Sequence, residues 1–307
     1  MEHRTLGSLS VSVVGVGCNN FGSRLDEEAS TAVVHAALDA GITLFDTADT
    51  YGGTRSEVFL GRALRTRRSE AVIATKFGMP LDDESFGASP AYVRRACQAS
   101  LARLGVDHID LYQLHYPDDT VPIAETLGAL GELVDAGLVR EIGCSNLTAD
   151  QLRAAWLAAA GRPGFASIQN QYSLLAREPE TDGVLAACAE LRVGLLPYYP
   201  LANGLLTGKF RPGEPVPEGT RLALMSPERA VHWLSERFQH TVDGLLGYAE
   251  ELGTPILTLA ISWLLDHREV TSVIAGASSP AQVRANAAAA HPLDPAVRAR
   301  LDTLTTP

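Results

Sequence analysis

Four polar side chains of different kinds fall in three short segments, each at or just beyond an apolar run. Asp46 and Tyr51 lie in FDTADTYGG, Lys76 in VIATKFG and His115 in LYQLHYPD. An acid, a phenol, an amine and an imidazole together suit the delivery of a proton to a carbonyl oxygen while hydride goes to its carbon. A tyrosine hydroxyl can give that proton, although its ordinary pKa is about 10. An ammonium close by favours phenolate and lowers that value, and Lys76 can supply the charge. Asp46 would keep Lys76 protonated and oriented, while His115 can hydrogen-bond the carbonyl oxygen and align the substrate. Singly, each residue has a plainer reading. Asp46 would be a helix cap, Lys76 a surface ion pair, and Tyr51 and His115 packed side chains with satisfied polar ends. Their joint placement at strand ends favours one site over four coincidences.

Such residues need a scaffold that brings strand ends together. Short runs rich in Val, Ile, Leu and Tyr predict strands at Val13–Gly17, Thr43–Asp46, Ala71–Lys76, Ile109–His115, Glu141–Ser145, Ser167–Gln171, Val193–Tyr198 and Thr271–Gly276. Amphipathic stretches between them predict helices over Ala29–Ala40, Ser56–Arg65, Pro90–Leu104 and Ile123–Ala136. Thr148 is expected to cap a helix through Ala160, and Thr181 or Asp182 one through Leu191. Strands alternating with helices imply parallel βαβ units. An open doubly wound sheet and a closed (β/α)8 TIM barrel both fit that count. The length and the lack of a linker favour a single-domain α/β barrel over residues 1–307. Gly15-Val16-Gly17 is followed by Cys18-Asn19-Asn20, so the third glycine of a Rossmann fingerprint is missing.

In a barrel of this kind the site lies at the C-terminal ends of the strands. Asp46 closes the second strand, Lys76 the third and His115 the fourth, with Tyr51 in the loop after the second. Outside the repeat, Arg4–Ser12 reads as an N-terminal hairpin turning at Gly7-Ser8. Leu234–Glu251 and Pro295–Leu304 read as extra helices. Residues 209–232 carry Pro212, Pro215, Pro217 and Pro227. A loop this long in a compact domain is usually functional, and it is read as a cofactor clasp or substrate lid after strand seven. Tyr198 and Tyr199 should alternate across a strand, so only one of them is expected at the mouth.

The bulk numbers exclude other classes. In 307 residues 46% are apolar, enough for a sizeable core, and the net charge of −11 disfavours nucleic acid as a partner. The four cysteines, Cys18, Cys97, Cys144 and Cys188, form no CxxC pair. Neither a disulfide framework nor a metal site is expected, and a reduced, cytoplasmic setting fits. The opening MEHRTLGSLS lacks an apolar core, so no signal peptide is expected. No stretch reaches the roughly 18 continuous apolar residues of a membrane span.

The three motifs, in this order and spacing, resemble the aldo-keto reductase family, and the resemblance runs from about Leu6 to Asn286. It implies reduction of aldehydes or ketones by NAD(P)H on a barrel without a Rossmann domain, with Asp46, Tyr51, Lys76 and His115 as the catalytic tetrad. By the same resemblance, Ser145 and Asn146 in GCSN would hold the nicotinamide carboxamide, joined by Gln169 in IQNQY. Tyr198, opening YYPLANG, would stack on the ring, with Pro200, Leu201 and Gly204 following and Lys209 available to phosphate. Gly17, Cys18, Asn19 and Asp46 complete the near side, although packing is the plainer role of Cys18. At the adenosine end stand Gly276, Ser278, Gln282 and Asn286, where a helix N-terminus favours an anion. Arg221 matches an arginine that approaches the 2′-phosphate in the potassium-channel β-subunit branch. Many relatives carry Lys or Arg at the positions of Gly276 and Gln282, and Glu at Ala285. Lys209, Arg221 and Arg284 remain as phosphate partners, so NADP(H) is expected to be preferred, with NAD(H) possible.

Phe21, Phe86, Tyr116, Met225 and Trp233 fall in mouth loops and are assigned to the substrate pocket, with core or lid packing as the alternative. A rival reading is a nicotinamide-sensing regulatory subunit like the channel β-subunits. Those carry Asn at the position of His115, so His115 favours an enzyme. A third is a (β/α)8 hydrolase or aldolase using Lys76 as a Schiff-base amine. Asp46 argues against it, because an ion-paired lysine stays protonated. The sequence leaves open which small carbonyl compound is the substrate, the oligomeric state and the physiological direction.

Overall fold

A computed structural model of the chain describes residues 1–306. The chain opens with a hairpin of β1 (His3–Leu6) and β2 (Leu9–Ser12). Gly7 turns it with φ +58°, and the adjacent Ser8 amide donates to the Glu141 carboxylate at 2.6 Å. Leu6, Leu9 and Val11 of the hairpin pack on Leu44, Ala74, Leu111, Leu196 and Ile274. This apolar plug fills the lower interior of the strands that follow, so only their C-terminal ends are left to form a cavity.

Eight parallel strands follow: β3 (Val14–Gly17), β4 (Leu44–Asp46), β5 (Val72–Phe77), β6 (Ile109–Leu114), β7 (Val139–Ser145), β8 (Ser167–Gln169), β9 (Gly194–Leu195) and β10 (Val273–Gly276). The sheet order is β10-β3-β4-β5-β6-β7-β8-β9. Its two edges meet through a parallel bridge of Leu195 with Val270, backed by Leu195 N to Glu269 O at 2.7 Å and Thr271 N to Leu195 O at 2.9 Å. The result is the (β/α)8 architecture, in which the eight-stranded sheet closes on itself.

The expected strands are present, and most differ from expectation only at their ends. The exception is β9, which keeps two of the six residues expected over Val193–Tyr198. Pro197 has no amide to give the ladder. Beyond it the chain pairs only through single contacts such as Tyr198 N to Asn170 O at 3.1 Å.

The helices are α1 (Glu27–Asp39), α2 (Arg55–Leu64), α3 (Pro90–Leu104), α4 (Ile123–Asp135), α5 (Ala149–Ala158), α6 (Glu178–Thr181), α7 (Val184–Leu191), α8 (Pro227–Trp233), α9 (Glu236–Glu251), α10 (Ile256–Leu265), α11 (Pro280–Ala288) and α12 (Pro295–Thr305). Thr148 and Gln151 form a reciprocal capping box on α5. The helix expected from Thr181 or Asp182 through Leu191 is α7, with the short α6 before it. Gly183, at φ +85°, separates α6 from α7, and the Asp182 side chain caps Val184 N at 3.0 Å. Helix α10 has no counterpart among the expected helices because eight of its ten residues are buried, including Ser262 and Trp263. A helix buried on nearly every side has no polar stripe to reveal its period. The expected irregular loop is shorter than 209–232, since Ser226-Pro227 starts α8 within it. Among the described residues no helix is long and apolar enough to cross a membrane.

Candidate active site

The strand ends bring the four polar side chains to one place. Asp46 is the last residue of β4, Lys76 is next to last in β5, and His115 directly follows β6. Lys76 is fully buried and donates to Asp46 Oδ2 at 2.6 Å, to the Thr47 carbonyl at 3.0 Å and to the Tyr51 hydroxyl at 3.5 Å. The other carboxylate oxygen, Asp46 Oδ1, accepts from the side-chain amides of Gln113 at 3.1 Å and Gln169 at 2.9 Å. His115 presents its ring at 5.8 Å to that of Tyr51, nearly perpendicular at 77°, and its other face stacks on Tyr116 at 5.6 Å.

The turn that carries Tyr51 is fixed by the backbone. Asp49 N donates to Lys76 O at 3.1 Å and Tyr51 N to Ala48 O at 3.2 Å. Gly52 follows at φ +60°, and a side chain there would meet the Phe21 carbonyl. Glycine is the residue that both the space and the left-handed conformation admit.

Burial dominates the electrostatics of Tyr51 and His115. It raises Tyr51 above its ordinary range, and the Lys76 ammonium only partly opposes it. Tyr51 is therefore a phenol, proton in place, at neutral pH. Burial alone would depress Lys76. The charge and hydrogen bond of Asp46, helped by Tyr51, outweigh it, and Lys76 stays an ammonium. His115 is lowered to about 3, first by burial and then by Lys76, so its ring is neutral across the ordinary range. Asp49 is raised to about 7 by burial and then by Glu57, and neither of its carboxylate oxygens has a hydrogen-bond partner.

Above these groups opens a cavity of about 750 Å³ between the strand ends and the long loop. Asp46, Tyr51 and His115 line it, whereas Lys76 lies behind them. Of the group assigned to cofactor, Gly17, Asn19, Ser145, Asn146 and Gln169 line one part. Tyr198, Pro200, Leu201, Gly204, Lys209 and Arg221 line another, and Gly276, Ser278, Gln282 and Asn286 a third. Cys18 does not; it is fully buried below, its thiol directed to Val16 O at 3.7 Å. Arg284 is not in the wall either.

The side chains near His115 are mutually oriented. Asn146, at φ +61°, gives its amide to His115 O at 3.0 Å and takes the Tyr198 hydroxyl on Oδ1 at 2.9 Å. Ser145 donates to Gln169 O at 2.6 Å. At the far end the Ser278 amide and hydroxyl both donate to Gln282 Oε1, at 2.8 and 3.1 Å.

The aromatic group assigned to substrate divides. Tyr116 lines the cavity and is half exposed. Phe21 is instead a fully buried core residue, and Phe86 lies exposed outside the cavity wall. Met225 packs against the core, and Trp233 stacks on Phe238 at 5.6 Å, drawn inward by α8 and α9. Large apolar side chains next to a mouth gain more by joining the core than by lining water.

Several further residues line the cavity without any expectation from the sequence. Tyr199 lines it together with Tyr198, because its φ of +51° lies outside any strand and the expected alternation does not apply. Arg221 donates to the Tyr199 hydroxyl at 2.9 Å and lies over its ring at 4.7 Å. Arg24 reaches from the loop after β3 to Gly219 O at 2.7 Å, and burial together with nearby Arg221 lowers its pKa. Arg229 and Asn203 also line the wall, and Asn203 Oδ1 is buried without a partner. No local pattern in the sequence marks Arg24 or Arg229, since each depends on where the long loop folds.

Arg24, Lys209, Arg221 and Arg229 all line the cavity, and among the described residues none of them forms an ion pair across it. The carboxylates in the wall are Glu218 and Asp46, the latter paired with Lys76. A chain of net charge −11 thus concentrates unpaired cations in one place. That distribution fits a ligand with several negative charges.

The Aldo/keto reductase family profile matches residues 13–306. A protein of Arabidopsis thaliana, named "Probable voltage-gated potassium channel subunit beta", is 34% identical over 297 residues, covering 93% of this chain and 90% of the relative. The aldo-keto reductase YhdN of Bacillus subtilis is 34% identical over 296 residues, covering 93% and 87%. In solved structures, the holo form of an aldo-keto reductase from Bacillus halodurans superposes with a TM-score of 0.80 at 33% identity, covering 100% of this chain and 97% of the other.

Proposed function

The chain belongs to the aldo/keto reductase family, and we propose from that premise that it reduces aldehydes or ketones to alcohols, with NADPH as the preferred cofactor and Tyr51 as the proton donor. One observation carries the reading: the Lys76 ammonium is pinned between Asp46 Oδ2 at 2.6 Å and the Tyr51 hydroxyl at 3.5 Å, directly behind an open cavity. A surface ion pair or a satisfied core tyrosine would not need that arrangement.

The residues fit a nicotinamide dinucleotide. Tyr198 offers a flat aromatic face held by Asn146. Arg24, Lys209, Arg221 and Arg229 offer unpaired positive charge for phosphates, and Asn203 keeps an unsatisfied buried oxygen in the wall. The preference for NADPH over NADH rests on that charge, and the segment over 209–232, loop and α8 together, would act as the clasp.

When bound, the nicotinamide supplies hydride to the carbonyl carbon. The Tyr51 hydroxyl gives its proton to the carbonyl oxygen, and the phenolate it leaves is stabilised by Lys76. Asp46 holds Lys76 in place and keeps it charged. His115 Nδ1 is buried without a partner. A bare ring nitrogen is cheaper to bury than an N–H, so the proton belongs on Nε2, where it can hydrogen-bond the same carbonyl oxygen. The aromatic rings of Tyr116 and Tyr199 favour a substrate with a flat apolar body. The four free, buried cysteines support a reduced, cytoplasmic setting.

The test is initial NADPH oxidation with a reactive aromatic aldehyde, wild type beside Tyr51→Phe. Loss of a clear wild-type rate in the variant supports reduction through Tyr51, and equal rates discard Tyr51 as the acid. A second reading, a nicotinamide-sensing subunit, is favoured by the 34% identity to the channel β-subunit. It predicts NADPH binding without turnover on any carbonyl tried.

A further inference from the structure

Gln113 lies on β6, two residues before His115 and in register with Lys76 on one side and Gly143 on the other. It is fully buried and does not line the cavity. Its side-chain amide donates to Asp46 Oδ1 at 3.1 Å, beside the Gln169 amide at 2.9 Å on the same oxygen. The two amides also touch, Gln169 Nε2 lying 3.4 Å from Gln113 Oε1. Asp46 Oδ2 meets Lys76 at 2.6 Å. The carboxylate is therefore held by three donors, two of them neutral.

We infer that Gln113 is a positioning residue for carbonyl reduction: it fixes the Asp46 carboxylate, and through it the Lys76 ammonium, beneath the Tyr51 hydroxyl. The inference rests on the reductase reading above. Its residue type follows from the charge balance of the buried cluster. A second cation at this position would compete with Lys76 for Asp46, and a second carboxylate would repel Asp46. An apolar side chain would leave Asp46 Oδ1 with a single amide, that of Gln169. An amide adds a donor to the Asp46 carboxylate without adding charge. Gly143 leaves the room: a Cβ there would come 3.1 Å from Gln113 Cγ and nearer still to the Ser167 hydroxyl.

The test compares wild type with Gln113→Leu, Gln113→Glu and the double variant Gln113→Glu/Asp46→Asn. Gln113→Leu should lower kcat about tenfold, the scale of one buried hydrogen bond to a charged group, with the Kd for NADPH unchanged. Gln113→Glu should turn over at about pH 5, where a protonated carboxyl can donate as the amide does. It should lose that activity as the pH rises to about 8, where two carboxylates face each other. Its Tm relative to wild type should fall over the same range, and that fall should vanish in the Asp46→Asn background. This melting comparison needs neither cofactor nor turnover. A pH profile for Gln113→Glu parallel to wild type, or a Tm fall that persists with Asn at position 46, would overturn the inference. Absence of turnover in wild type would sink the reductase reading instead, while the melting comparison would still decide whether Gln113 holds Asp46. Should Gln113→Leu fail to fold, Gln113→Glu at acid pH decides.

Discussion

The cluster of Asp46, Tyr51, Lys76 and His115 and the segment over 209–232, loop and α8 together, face each other across one cavity and are built on opposite principles. Asp46, Lys76 and His115 are set by parallel strands whose register fixes their heights. Asp46 and Lys76 are buried and bonded to each other, and both oxygens of Asp46 have donors. Arg24, Lys209 and Arg221 hang on irregular backbone, and the partners of two of them are a carbonyl and a phenol: Arg24 on Gly219 O, Arg221 on Tyr199. The first arrangement needs little reorganisation at the moment of proton transfer. The second can exchange neutral partners for phosphate when a ligand arrives. On the proposed function, chemistry sits on the rigid half and affinity on the adjustable one.

Substitutions can break that division of labour. The largest effect should come from Tyr51→Phe: turnover falls by roughly two or more orders of magnitude, the scale of losing a positioned proton donor, while NADPH titration shows nearly unchanged binding. A parallel loss of binding would show that the two halves are not separate. On the loop side, Arg221→Ala should weaken NADPH by about tenfold and NADH much less, measured by fluorescence titration of both cofactors, with kcat little changed. Equal losses would remove Arg221 from the 2′-phosphate.

A third prediction concerns how far water is excluded from the tetrad's surroundings. Asp49 is raised to about 7 in the folded chain, from an ordinary value of 3.8. The folded state therefore holds the proton longer than the unfolded state does. Stability is lost as the pH climbs between those values, and the cost is fully present above the higher one. Asp49→Asn should raise Tm by roughly 5 °C at about pH 8 and change it little at about pH 4. A constant offset across that range would mean Asp49 is solvated. The smallest expected effect is none at all: with its pKa near 3, His115 should show no titration between about pH 5 and 8 in its imidazole NMR signals. A midpoint near the usual histidine value would place water against the ring.

The sequence by itself determined the layout. Strand and helix periods alternate along the chain, and in a closed parallel barrel every strand's C-terminal end comes to the same face. Asp46, Lys76 and His115 could therefore be grouped from their positions at run ends alone, before any contact was known. What tertiary structure alone decided is every pairing between distant segments. Gln169 reaches Asp46 across 123 positions of sequence, and Arg24 reaches Gly219 across 195. Nothing local in either residue announces its partner. The same limit explains the misreadings. Phe21, Met225 and Trp233 look alike as mouth aromatics or apolar residues until the core claims them. Helix α10 has no exposed stripe to reveal its period. Tyr199 joins Tyr198 in the cavity because Pro197 ends the ladder and the backbone turns left-handed two residues on. Periodicity reports which face a residue takes within one element. Which elements meet, and at what distance, is settled only when the whole barrel closes.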